Sequence, residues 1–195
     1  TDVAGLTINA ASTAATASIG ALALDATDTT SLTLVGANTG YALSTGAITL
    51  SDKVETISVS TSTASGTATL GAMADADSLT SVTINASVAD ATTGTIGATT
   101  SDANGLSTIT ISASGGATAT LGEIWGDSTN TTSGETTATM TLTSDTSSTV
   151  VLGKVAMDEG AVSLTASGAG NFTLGTVDSA TVGFFIGEDS TFDLS

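Results

Sequence analysis

Two short motifs recur along this chain with one shared, irregular spacing, and that lockstep limits the folds open to it more than any single residue does. The first is an apolar residue before glycine, then a small residue and often a second apolar one. It reads Ile19-Gly20-Ala21-Leu22, Leu70-Gly71-Ala72-Met73, Ile96-Gly97-Ala98, Leu121-Gly122-Glu123-Ile124, Leu152-Gly153-Lys154-Val155 and Leu174-Gly175-Thr176-Val177, with a degenerate copy at Thr45-Gly46-Ala47-Ile48. Its glycines are 26, 25, 26, 25, 31 and 22 residues apart. The second motif is an apolar–hydroxyl–apolar triplet: Leu6-Thr7-Ile8, Leu32-Thr33-Leu34, Ile57-Ser58-Val59, Val82-Thr83-Ile84, Ile109-Thr110-Ile111, Met140-Thr141-Leu142 and Val162-Ser163-Leu164. It steps by 26, 25, 25, 27, 31 and 22 residues. Two unrelated motifs that lengthen and shorten together mark one repeated structural unit.

Each triplet alternates with period two, as a half-buried strand does, and its β-branched residues suit a pleated surface. The residues ahead of each glycine alternate too, as in Thr67-Ala68-Thr69-Leu70. Between them lie Gly, Asp, Asn and Ser, which are turn formers. The spacing therefore predicts an all-β fold, a parallel β-solenoid of about seven coils, with roughly 25 residues and two short strands per coil. The alternative is a β-sandwich, which also has many short strands but has no reason to hold two motifs in step. Disorder is the third reading of a Ser/Thr/Gly-rich acidic chain; the inward apolar ladder argues against it. Residues 1–179 form the repeats, with an inserted loop at about 126–135 where the spacing jumps to 31. All four Phe, at 172, 184, 185 and 192, fall near the end, so 180–195 is expected to be a C-terminal coil or cap.

Composition removes several functions. Of 195 residues, 19 are acidic and two are basic, Lys53 and Lys154, for a net charge of −17. Nucleic-acid binding needs Lys and Arg to displace counterions from phosphates, so it is not expected. With no Cys and no His, the chain has no thiol nucleophile, no imidazole metal ligand and no Ser–His pair. No apolar run approaches the roughly 18 residues of a membrane helix, and insertion into a membrane is not expected. The chain is read as a non-enzyme; a carboxylate-only glycosidase is the residual exception.

Carboxylates recur ahead of the first strand of each repeat, at Asp25, Asp28, Asp52, Asp75, Asp77, Asp102, Asp127 and Asp158. Stacked coils would bring them to one edge, where acid and carbonyl oxygens suit Ca2+; the plainer reading is that Asp starts turns and keeps the surface solvated. The Gly-Gly-x-Gly-x-Asp nonapeptide of calcium-binding β-rolls is missing. Trp125, Asp127, Asn130 and Glu135 mark the inserted loop as a candidate assembly or binding site, because solenoid insertions tend to emerge on one face. The outward rank Thr7, Thr33, Ser58, Thr83, Thr110, Thr141, Ser163 is all hydroxyl. It raises ice binding as a minor reading, weakened by coil lengths of 22 to 31 residues.

No Cys, scarce Lys, abundant Thr, Ala, Ser and Gly, high acidity and imperfect β-repeats together resemble bacterial surface-layer proteins and large secreted repeat adhesins. Copies such as Leu79-Thr80-Ser81-Val82-Thr83-Ile84 also look like the strand portion of leucine-rich repeats. The surface-layer resemblance implies an extracellular or cell-surface location, calcium-dependent assembly and no catalysis. The expectation is a structural protein whose partners are other copies of itself, in a filament or layer. An adhesin stalk, or a module binding a cell-surface glycan through the inserted loop, is the alternative.

Overall fold

In a computed structural model the described residues are 5–9, 16–24, 30–36, 42–50, 53–62, 66–97, 103, 105–126, 138–186 and 191–194. The first coil is β1 (Leu6–Asn9), β2 (Ala17–Ile19) and β3 (Leu22–Ala23), and the second β4 (Ser31–Gly36), β5 (Leu43–Thr45) and β6 (Ile48–Thr49). The third is β7 (Thr56–Thr61), β8 (Ala68–Leu70) and β9 (Met73–Ala74), and the fourth has β10 (Ser81–Ser87) and β11 (Ala91–Thr93). Then come β12 (Thr108–Ser114), β13 (Thr118–Leu121), β14 (Ile124–Trp125), β15 (Ala138–Ser144) and β16 (Thr149–Leu152). The long β17 (Val155–Ser167), β18 (Asn171–Leu174), β19 (Val177–Ile186) and β20 (Thr191–Leu194) complete the stack.

Every strand pairing is parallel, and each strand pairs with its counterpart one coil away. This is the expected β-solenoid. A first face runs β1-β4-β7-β10-β12-β15-β17, and a second face stacks eight strands, β2-β5-β8-β11-β13-β16-β18-β20. Beyond the two expected strands, each coil carries a short third segment after the glycine, seen in β3-β6-β9 and continued by Ile96, which bridges Met73 and Ile124. In the last coils β19 pairs with β17 and β20 with β18, so residues beyond 179 extend both faces.

Inward residues form ladders of like side chains. Leu32, Leu34, Ile57, Val59, Val82, Ile84, Ile109, Ile111, Met140 and Leu142 are all buried, and each stands in register with the next. Opposite them, Ala68, Ala91 and Ala119 on the second face are small, and the ladder then widens through Val150 to Phe172. A narrow, layered core lets short side chains exclude water, which explains how this composition folds.

From the second coil on, the glycines of this column are required by space rather than by dihedral angle. A Cβ on Gly71 would lie 2.1 Å from the Gly46 carbonyl oxygen, and one on Gly122 would lie 2.6 Å from the Gly94 carbonyl carbon. Successive coils cross here too closely for any side chain.

Two registers differ from the sequence reading. The glycine column passes through Gly94, not Gly97: Thr93 pairs with Leu70 and Leu121, and Ile96 takes the post-glycine apolar slot. The apolar-before-glycine rule selects Ile96-Gly97 because the true site holds a polar Thr. On the first face, Met140 pairs with Leu164 and Leu142 with Ala166. The triplet Val162-Ser163-Leu164 is thus displaced by two residues from the motif alignment. Alternating sequence is equally satisfied by a shift of two, since it keeps every side chain on its own face.

Candidate functional site

The acidic positions expected to gather at one edge are only partly described. Asp75 and Asp77 are exposed and flank the buried Ala76 in the turn between β9 and β10. Asp75 has φ 57, a left-handed conformation that Asp tolerates better than most residues. Asp158 belongs to β17. Asp25, Asp28, Asp52, Asp102, Asp127, Asn130 and Glu135 lie outside the described residues. Among the described residues no group of three or more acidic side chains is placed to hold a metal ion.

Trp125 sits half-buried on the outer side of the third face, immediately before the span that joins β14 to β15. Its indole Nε1 donates to Glu123 Oε2 at 3.0 Å, and the Lys154 ammonium lies 4.4 Å from the ring centroid. The pairing of Ile124 with Val155 puts Glu123 and Lys154 on adjacent rungs, so one of the two cations is spent on an aromatic ring next to a carboxylate. A cation–π contact of this kind contributes about 0.5–1 kcal/mol at an exposed site.

Asp145 is the polar residue that sequence reasoning missed. Its Oδ2 accepts from Gly115 N at 2.7 Å across the coils, and its Oδ1 accepts from Ser148 Oγ, and from Ser147 N at 3.2 Å. Ser148 Oγ in turn accepts from Gly116 N at 3.0 Å. The Ser148 hydroxyl first, and then the Gly115 amide, hold the Asp145 carboxyl below its usual range. In the turn between β10 and β11, Asp90 Oδ1 likewise reaches across the coils, accepting from Thr118 N at 2.7 Å. The signal was present as Asp145-Thr146-Ser147-Ser148, an Asx turn, but it lies between the first and second strands, away from the acids that recur ahead of the first strands.

The first face is chemically uniform on its outer side. One rank is Ser31, Thr56, Ser81, Thr108, Thr139 and Ser163; the central rank is Thr7, Thr33, Ser58, Thr83, Thr110, Thr141 and Thr165. Ser163 therefore stands in the flanking rank and Thr165 takes its expected place. A third rank has Asn9, Val35, Ser60, Asn85, Ser112, Thr143 and Ser167. None of these residues is charged. The irregular coil lengths leave this face intact, because the insertion lies between β14 and β15, and the register shift within β17 lies between Met157 and Ala161, before its first-face half.

The corners and faces define a β-solenoid repeat protein. No protein-family model, no curated protein and no solved structure matches the chain at a significant level.

Proposed function

We propose that this chain is a non-enzymatic structural rod of the cell surface or extracellular space, which joins other copies of itself end to end in a filament or layer. The supporting observation is the β1 end of the stack. Leu6, Ile8 and Leu22 are only partly buried there, whereas their partners one coil on, Leu32, Leu34 and Ile48, are 0%, 0% and 2% exposed. Among the described residues no strand covers the outer edge of β1. That edge is Leu6-Thr7-Ile8-Asn9, without the Lys or Pro that blunt natural edges. A further coil laid on it, from a preceding stretch of a longer chain or from a second copy, would continue the ladders and complete the hydrogen bonds; of these we propose the second copy. The extracellular setting rests on the compositional resemblance to surface-layer proteins.

Sedimentation and negative-stain electron microscopy over a range of concentrations, with and without Ca2+, test this. Concentration-dependent end-to-end growth that Ile8→Lys abolishes is expected. A chain that stays monomeric throughout contradicts the reading.

Trp125 favours a second reading, a stalk that presents a glycan-binding site at the base of the insertion. Binding to a glycan array that Trp125→Ala removes, with melting unchanged, would favour it.

A further inference from the structure

We propose that the first face is an ice-binding surface. This goes beyond the structural role and does not depend on it. The face repeats in two directions. Rungs of a parallel sheet lie about 4.8 Å apart, and outward residues along one strand recur at about 6.6 Å. Those steps are close to the oxygen repeats on the prism faces of hexagonal ice. From β4 to β17 the register passes from rung to rung without a skipped residue, so the hydroxyls of the central rank, from Thr33 to Thr165, form a lattice rather than a scatter.

Charge distribution supplies the second argument. The chain carries 21 charged residues, yet all three outward ranks of this face carry none. An ionic group arranges water radially around itself and breaks a lattice; a hydroxyl donates and accepts as ice oxygens do. Among the described residues the central-rank hydroxyls make no protein hydrogen bond, and Thr33, Ser58, Thr83, Thr110 and Thr165 are half-buried, so the strands limit their motion. Thr methyls between them give hydrophobic contact. A second copy is a poorer occupant, since the face offers few large apolar groups to bury. A glycan is poorer too, since from β1 to β17 the three ranks hold neither an aromatic residue nor a carboxylate.

The test freezes the purified chain into a slowly growing ice front and scores ice recrystallisation in parallel. Wild-type protein should enter the ice and slow recrystallisation. Thr83→Lys with Thr110→Lys should lose most of both effects, while Thr92→Lys, on the outer side of the second face, should keep them. Circular dichroism melting of all variants establishes that they are folded, and Thr110→Val, a strand former that lacks the hydroxyl, gives a second loss if the double variant unfolds. Exclusion of the wild type from ice overturns the proposal, as does equal retention of the first-face variants. A first-face variant that changes sedimentation instead, with wild type excluded from ice, assigns the face to a second copy and also overturns it.

Discussion

Thr93 stands directly opposite Leu121 on the next rung and Leu70 on the one before, so a hydroxyl occupies a slot in the core ladder that leucine fills on either side. It is 1% exposed, and among the described residues its Oγ1 has no hydrogen-bond partner. Thr45, before Gly46 in the same column, differs. Its Oγ1 accepts from Gly71 N at 3.0 Å, whereas Gly122 N reaches past the Thr93 side chain to its carbonyl at 3.1 Å.

The two threonines therefore respond oppositely to one substitution. Thr93→Val removes an unsatisfied buried hydroxyl and should stabilise the chain by about 1–2 kcal/mol. Thr45→Val strands the Gly71 amide and should destabilise it by about 1 kcal/mol. Urea melts of the two variants check this; shifts of the same sign would show the Thr93 hydroxyl to be satisfied.

Alanine placed in the glycine column measures how tightly the coils cross. Gly122→Ala drives a methyl into the Gly94 backbone and should cost about 1–3 kcal/mol. Gly20→Ala, in the first coil, meets nothing within 4 Å and should leave the melting temperature nearly unchanged. Equal effects would show that the column is not a close crossing.

Val88 has φ 70 and is 46% exposed, at the first position of the turn from β10 to β11, just after the Ser87–Ser114 rung. The following coil answers the same need with Gly115 at φ 66. A β-branched residue is strained there, so Val88→Gly should stabilise by about 1 kcal/mol. Thermal denaturation decides it; a clear loss of stability would place the turn in another conformation.

Acid should loosen the Asp145 corner. Because native contacts depress this carboxyl, its stabilising effect is complete above the unfolded-state value of about 4 and is lost as pH falls through the lower, folded-state one. Asp145→Asn should flatten the fall in melting temperature on acidification relative to wild type. An unchanged acid profile would mean that the carboxylate contacts contribute nothing.

The solenoid was legible because two motifs keep one spacing: Ile57-Ser58-Val59 and Leu70-Gly71 each report a strand, and their joint repetition reports stacking. The register errors arose where the pattern is degenerate. Thr93-Gly94 hides a core slot behind a polar residue, and Val162-Ser163-Leu164 slides by two without moving any side chain to the wrong face. The short third strand was hidden by its length, since Met73-Ala74 is too brief to alternate. Of the candidate site residues, the placement of Trp125 beside the insertion was readable, but its pairing with Lys154 depends on which rungs are adjacent. Asp145 was passed over because its partner Gly115, like the Gly116 that donates to Ser148, comes from another coil.

The stacking itself is most directly tested by disulfide trapping, for which a chain without Cys is well suited. Outward residues on adjacent rungs are within the roughly 4.4–6.8 Å Cα separation that a disulfide requires. The pair Thr83→Cys and Thr110→Cys should cross-link on mild oxidation, as should Thr141→Cys with Thr165→Cys, whose positions are Cα partners. The pair Thr141→Cys with Ser163→Cys, displaced by two residues, should form much more slowly. Efficient bridging of the displaced pair, or failure of both partnered pairs, would contradict parallel, in-register coils.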